Sequence, residues 1–131
     1  MHQIGEVAET TGLSLRTIRH YEEVGLVPPS GRSSGGFRLY ADEDIERLRL
    51  VKHMKPLDFS LEQMRELLEL RDQLALEVDD HQRVGLLERL EMFASDADRR
   101  CETLREQLAA AKSMAEMLRR EAHLRTSAVA R

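Results

Sequence analysis

Residues 4–40, Ile4-Gly5-Glu6-Val7-Ala8-Glu9-Thr10-Thr11-Gly12-Leu13-Ser14-Leu15-Arg16-Thr17-Ile18-Arg19-His20-Tyr21-Glu22-Glu23-Val24-Gly25-Leu26-Val27-Pro28-Pro29-Ser30-Gly31-Arg32-Ser33-Ser34-Gly35-Gly36-Phe37-Arg38-Leu39-Tyr40, decide the fold. Ile4, Val7 and Ala8 share one side of a short helix that stops at Gly12, which takes positive φ without a Cβ clash. Ser14 is a natural N-cap for the next helix, which carries Leu15, Ile18 and Val24 and ends at Gly25. Two short helices joined by a Gly-containing turn make a helix-turn-helix candidate, a pattern shared with plain αα-hairpins. Pro28 and Pro29 block further helix. The polar, glycine-rich Ser30–Gly36 leads into Phe37-Arg38-Leu39-Tyr40, an extended segment that reads as a small β-wing. Alternation then turns Phe37 and Leu39 toward the core and Arg38 away from it.

Outward from this stretch, Asp42 is placed to cap a third helix with Ile45, Leu48 and Val51 inward, ending near Pro56. Ser60 and Gln63 form a capping-box pattern for a fourth helix, whose Leu61, Met64, Leu67 and Leu68 make an apolar stripe. From Asp79 and Asp80 a heptad takes over. Leu87, Leu90, Ala94, Ala97, Cys101, Leu104, Leu108, Ala111, Ala115, Leu118 and Ala122 recur at alternating spacings of three and four. A helix of that length is on the order of 55 Å long, more than a small head can cover, so its seam requires a partner. A second copy of the chain is the economical one, in a left-handed two-helix packing. Gly85 weakens the start of this helix by roughly 1 kcal/mol relative to Ala. The expected organisation is a head over residues 1–70, a linker over 71–78, a dimerisation helix over 79–122 and a flexible tail over 123–131.

Composition agrees with this mainly α reading. The 131 residues are 41% apolar and 34% charged but only 4% aromatic, without Trp, which argues against a β-sandwich or a large enzyme barrel. Six of the seven glycines and all three prolines precede residue 57, so the front half turns and the back half runs straight. One cysteine excludes an internal disulfide framework and a multi-cysteine metal site within one chain. With neither a signal-peptide stretch nor a membrane-length apolar run, the expected location is cytoplasmic, with no membrane partner. The net charge of −4 does not exclude a nucleic-acid partner, because Arg16, Arg19, Arg32 and Arg38 cluster locally against Glu22 and Glu23. No nucleophile with its base, phosphate loop or paired acid/base set appears. Neither an enzyme nor a cofactor is therefore expected.

These residues together resemble the MerR family of transcriptional regulators. The resemblance runs through Ile4–Ala8, Gly12–Ser14, Thr17–Glu22, Gly25–Pro28, Arg32, Gly36–Tyr40, Asp44-Ile45, Leu48 and Phe59–Leu61, covering about residues 1–70. It implies a winged helix-turn-helix head followed by a long helix that forms an antiparallel coiled-coil dimer. It further implies a homodimer on a pseudo-palindromic promoter operator that bends and untwists the spacer DNA for RNA polymerase. Arg16 and Arg19, three apart on the second helix, are implied DNA contacts, to bases or to phosphates. Ser14 and Thr17 either touch phosphate or serve local capping. Tyr21 either meets the DNA backbone or packs in the core, and His20 stands where the family often has a second Tyr. Arg38 is implied to bind phosphate, with Tyr40 behind it, Arg32 at the wing's start and Lys55 flanking the duplex.

Asp58 replaces a usual Gly before Phe59, and Asp tolerates the left-handed conformation better than most residues. Metal-sensing members carry cysteines at the two ends of the long helix, where this chain has Val78-Asp79-Asp80-His81 and His123. No metal site is therefore expected, and Asp79 and Asp80 read as a helix start. Cys101 reads as a small buried seam residue. The effector remains unknown from sequence. An effector-independent architectural DNA-binding protein and a coiled-coil adaptor for proteins are the alternative functions.

Overall fold

The computed structural model describes residues 1–129 and comprises two compact units, 1–91 and a second that starts at Met92. The first holds the head. Its elements are β1 (His2–Gln3), α1 (Ile4–Thr11), α2 (Leu15–Glu23), β2 (Gly31–Arg32), β3 (Arg38–Tyr40), α3 (Asp42–Met54), a 3-10 turn (Lys55–Leu57) and α4 (Leu61–Ala75). α5 (Asp80–Val129) begins in the first unit and makes up the described part of the second.

Local chemistry sets the boundaries. Gly12 ends α1 in the left-handed conformation (φ 75°), its N–H donating to the Ala8 carbonyl at 2.9 Å. Ser14 caps α2 by accepting from the Thr17 amide at 3.1 Å. Ser60 and Gln63 form the reciprocal box at the start of α4, at 3.1 and 2.9 Å. At α3 the N-cap is Ala41, not Asp42. The side chain of Asp44 reaches back to the Ala41 amide at 2.9 Å, so the third helical residue performs the capping that the sequence assigns to the first. Asp58 does adopt the left-handed conformation (φ 63°) after the 3-10 turn.

The sheet is three-stranded and antiparallel in the order β1-β3-β2, with His2 opposite Tyr40, and Arg38 opposite Arg32. β1 has no counterpart in the sequence reading, since two polar residues carry no periodic signal. Val7, Ile18, Val27, Tyr40, Leu48, Val51 and Leu70 are the fully buried side chains of the head, joined by Tyr21, Met54, Phe59, Met64 and Leu68. Each such burial contributes on the order of 1.5–3 kcal/mol. Arg65 of α4 closes over the end of α2, donating to the Val24 carbonyl at 2.8 Å.

The linker and tail are shorter than expected. α4 continues to Ala75, and α5 runs from Asp80, capped by the Asp79 carboxylate on the Gln82 amide at 2.7 Å. Residues 123–129 are helical rather than a tail, because nothing in Ala122–Val129 breaks the helix; residues 130 and 131 lie outside the described residues. Along α5 the seam is uncovered in the single chain: Leu87, Leu104, Leu108 and Leu118 are 42–55% exposed, Ala94 and Ala111 are exposed, and Leu90, Ala97, Cys101 and Ala115 are half-buried. Among the described residues no helix is long and apolar enough to cross a membrane.

Candidate nucleic-acid interface

α2 is the second helix of the helix-turn-helix, and its two faces are chemically opposite. Ile18 and Tyr21 point into the core, while Arg16, Arg19 and His20 are exposed. Neither Arg16 nor Arg19 has an ion-pair partner among the described residues, which leaves two full guanidinium forks free on one turn of helix. Ser14 and Thr17 are committed to the cap: besides accepting from the Thr17 amide, the Ser14 hydroxyl lies 2.9 Å from the Thr17 hydroxyl. Tyr21 is 3% exposed, its phenol pushed up by burial, with its ring 5.8 Å from that of His20. Of the two readings of Tyr21, its side chain takes the core one.

The wing is the β2–β3 hairpin. Its tip is tied by Ser33, whose amide donates to the Phe37 carbonyl at 2.8 Å and whose hydroxyl accepts from the Phe37 amide at 3.1 Å. Gly36 supplies the positive φ (81°) that the turn requires. The side chains of the wing face otherwise than alternation suggested. Phe37 precedes the strand and is 67% exposed, and the packed face belongs to Tyr40, which is 0% exposed. Arg38, two residues away, shares that face and is directed at α2, where its Nε donates to Glu22. Arg32 joins the same carboxylate at 2.8 Å through Nη2 and donates to the Gly36 carbonyl at 3.1 Å through Nη1. Hydrogen bonding to Glu22 raises the Arg38 guanidinium above its ordinary value, so its charge is permanent.

Tyr40 lies in the core of the head. Its hydroxyl is buried with no hydrogen-bond partner among the described residues, and burial pushes its phenol up. Lys55 is exposed at the start of the 3-10 turn, and among the described residues it makes no side-chain hydrogen bond or ion pair with the wing or α2. Glu22 is the residue that sequence reasoning overlooked. An acidic side chain in a basic cluster reads as a subtraction of charge, and only the hairpin geometry shows that it gathers both wing arginines. Lys52 was also missed; its Nζ donates to the Thr11 carbonyl at the helix-turn-helix turn, at 2.7 Å.

Residues 3–70 match the model of the MerR HTH family regulatory protein. The chain is 44% identical over 71 residues to the HTH-type transcriptional regulator ZntR of Escherichia coli, covering 54% of this chain and 50% of that one. It therefore spans only about half the length of that relative. It is 33% identical over 111 residues to the mercuric resistance operon regulatory protein of Bacillus cereus, covering 76% of this chain and 84% of that one. Among solved structures it resembles a MerR family transcriptional regulator of Listeria monocytogenes, with 28% identity, a TM-score of 0.62, and 86% and 81% of the two chains covered. It also resembles HiNmlR, a MerR family regulator lacking the sensor domain and bound to promoter DNA, with 26% identity, a TM-score of 0.50 and coverage of 82% and 87%. With a family model spanning more than half of its length and a relative matched over most of both chains, this chain belongs to the MerR family of helix-turn-helix regulatory proteins.

Proposed function

We propose that this chain is a transcription regulator that binds promoter DNA as a homodimer and acts in the cytoplasm. The observation that carries the reading is the pair Arg16 and Arg19, exposed and without ion-pair partners among the described residues, on the second helix of the helix-turn-helix beside a wing bearing Arg32 and Arg38. A helix of this kind enters the major groove, and arginine matches the paired acceptors of guanine as well as phosphate. HiNmlR, its structural relative, is described as bound to promoter DNA.

The dimer is supported by the uncovered leucines of α5, whose heptad spacing suits a coiled coil through Leu87, Leu90, Ala94, Ala97, Cys101, Leu104, Leu108, Ala111, Ala115 and Leu118, with the antiparallel sense taken from the resemblance to the MerR family. Two heads held in this way meet a pseudo-palindromic operator. Their combined phosphate contacts supply the energy to bend and untwist the spacer, which realigns promoter elements for RNA polymerase.

A second reading, DNA binding without an effector, is favoured by the thiol content. Relatives of this chain include proteins described as heavy metal-dependent regulators, but Cys101 is the only thiol here and lies on the α5 seam. One experiment separates these readings. Genomic fragments recovered with the protein are tested for salt-dependent duplex binding, alone and with candidate metals or small molecules. Specific binding that shifts with a ligand supports the regulator with an effector, and specific binding unmoved by any ligand supports the second reading. A chain that retains no duplex at low ionic strength refutes both and leaves a protein adaptor.

A further inference from the structure

The geometry points to Glu22 as a positioning residue for DNA binding, one that holds the two wing arginines in the conformation in which they meet phosphate. This inference rests on the DNA-binding reading. Arg38 spends only Nε on Glu22, and neither of its terminal amino groups has a hydrogen-bond partner among the described residues. Arg32 spends one N–H of Nη2 on Glu22 and one of Nη1 on the Gly36 carbonyl, and it stays half exposed. Glu22 itself is only 19% exposed. Glu22 thus bonds one nitrogen of each guanidinium and leaves further donors of both without a partner among the described residues.

A carboxylate near a phosphate backbone is ordinarily unfavourable, so the sign of the effect must come from magnitudes. At about 7 Å, one carboxylate–phosphate repulsion weakens binding by about threefold at the dielectric of water and by up to roughly fiftyfold at the effective dielectric of a protein surface, and salt screens it further. Fixing a free arginine side chain costs up to roughly thirtyfold in an equilibrium constant. Two arginines ordered in advance therefore outweigh one repulsive charge. The bridge also ties the wing to α2, so phosphate contacts from the hairpin and groove contacts from the helix are set in one register.

The test uses the full-length chain and two probes, a pool of random-sequence duplex and the duplexes that the wild type enriches from it. Glu22→Gln keeps the side chain's shape and removes its charge. It should weaken binding to both probes about tenfold at low ionic strength, with helix content unchanged and the protein still fully folded at the temperature of the binding measurement. In a background carrying Arg32→Ala and Arg38→Ala, the same substitution should no longer weaken binding and should instead tighten it, because nothing remains to be positioned and only the carboxylate's repulsion is removed. Equal or tighter binding by Glu22→Gln overturns the proposal and makes Glu22 only a repelling charge. A loss of the same size in the double-alanine background also overturns it and assigns Glu22 to the fold. Failure of the wild type itself to bind either probe refutes the DNA-binding reading, and this inference with it.

Discussion

Lys52 of α3 donates from Nζ to the main-chain carbonyl of Thr11 at 2.7 Å, pinning the third helix to the turn of the helix-turn-helix. The acceptor belongs to the last turn of α1, whose carbonyls have no partner within the helix and whose dipole favours a cation. The next residue, Gly12, has φ 75°, and a Cβ there would lie 2.7 Å from the same Nζ. The two features have separable costs. A lysine tip can move aside, whereas the left-handed backbone penalises any Cβ by roughly 1–2 kcal/mol. Gly12→Ala should therefore destabilise the protein by about 1–2 kcal/mol in urea denaturation, and Lys52→Met in the same background should not recover that loss. Full recovery in the double variant would assign the cost to the lysine contact and not to the backbone.

Much of the head is written in local chemistry, and those parts are legible. Ser14, Ser60 with Gln63, Gly12 and Asp58 each perform a job decided within three or four residues, and each is found as read. What escapes the sequence is decided across longer separations. Phe37 and Arg38 face opposite to the simple alternation because β1, a two-residue strand, and α2 fix which side of β3 is packed. The α3 cap moves from Asp42 to Asp44 because Asp44 is also needed by Ser30, whose hydroxyl donates to it from the loop before the wing. Glu22 is silent in the chain for the same reason: its partners lie 10 and 16 residues away.

His2 lies between two carboxylates, its Nδ1 2.9 Å from Glu6 and its Nε2 2.7 Å from Asp42, and so joins the start of α1 to that of α3. The hydrogen bond with Asp42, followed by that with Glu6, raises its pKa above the ordinary 6.5. Both ring nitrogens donate only in the charged form. For a raised histidine the extra stability is fully present below pH 6.5 and is lost as pH rises through the folded-state value. The site is open to solvent, so the effect is small. Thermal melts of wild type and His2→Gln should differ at pH 5.5 and converge toward pH 9. A difference that is flat with pH would show that the imidazole is not charged in the fold.

The two readings of Arg16 and Arg19, base contact and phosphate contact, are separated by a pair of binding measurements. A guanidinium paired with a guanine edge discriminates by about 1–3 kcal/mol, whereas a phosphate contact weakens all duplexes alike when lost. If Arg19 reads a base, Arg19→Ala should lose about 1–3 kcal/mol on an enriched duplex and much less on random DNA, with the salt slope nearly kept. Equal losses on both, together with a slope reduced by about one, would reassign it to the backbone. The same pair of measurements on Arg16→Ala sorts the second arginine.

The seam of α5 carries the strongest demand for a partner. Leu104 and Leu108 are 42% and 55% exposed in the single chain, near the middle of a 50-residue helix whose apolar positions continue in both directions. Burying a leucine contributes on the order of 1.5–3 kcal/mol, and in a two-fold packing each substitution is counted twice. Leu104→Glu with Leu108→Glu therefore removes roughly 6–12 kcal/mol of apolar burial from a dimer, before any charge repulsion, which is of the order of a micromolar or tighter association. Sedimentation should show the wild type as a dimer and this variant as a monomer at micromolar concentration. The head core, built from Val7 through Leu70, contains neither residue, so its urea transition should survive. Operator binding should fall by more than about a hundredfold, because two linked heads engage two half-sites with an effective concentration that separate heads lack. A variant that remains dimeric would place the interface elsewhere on the chain.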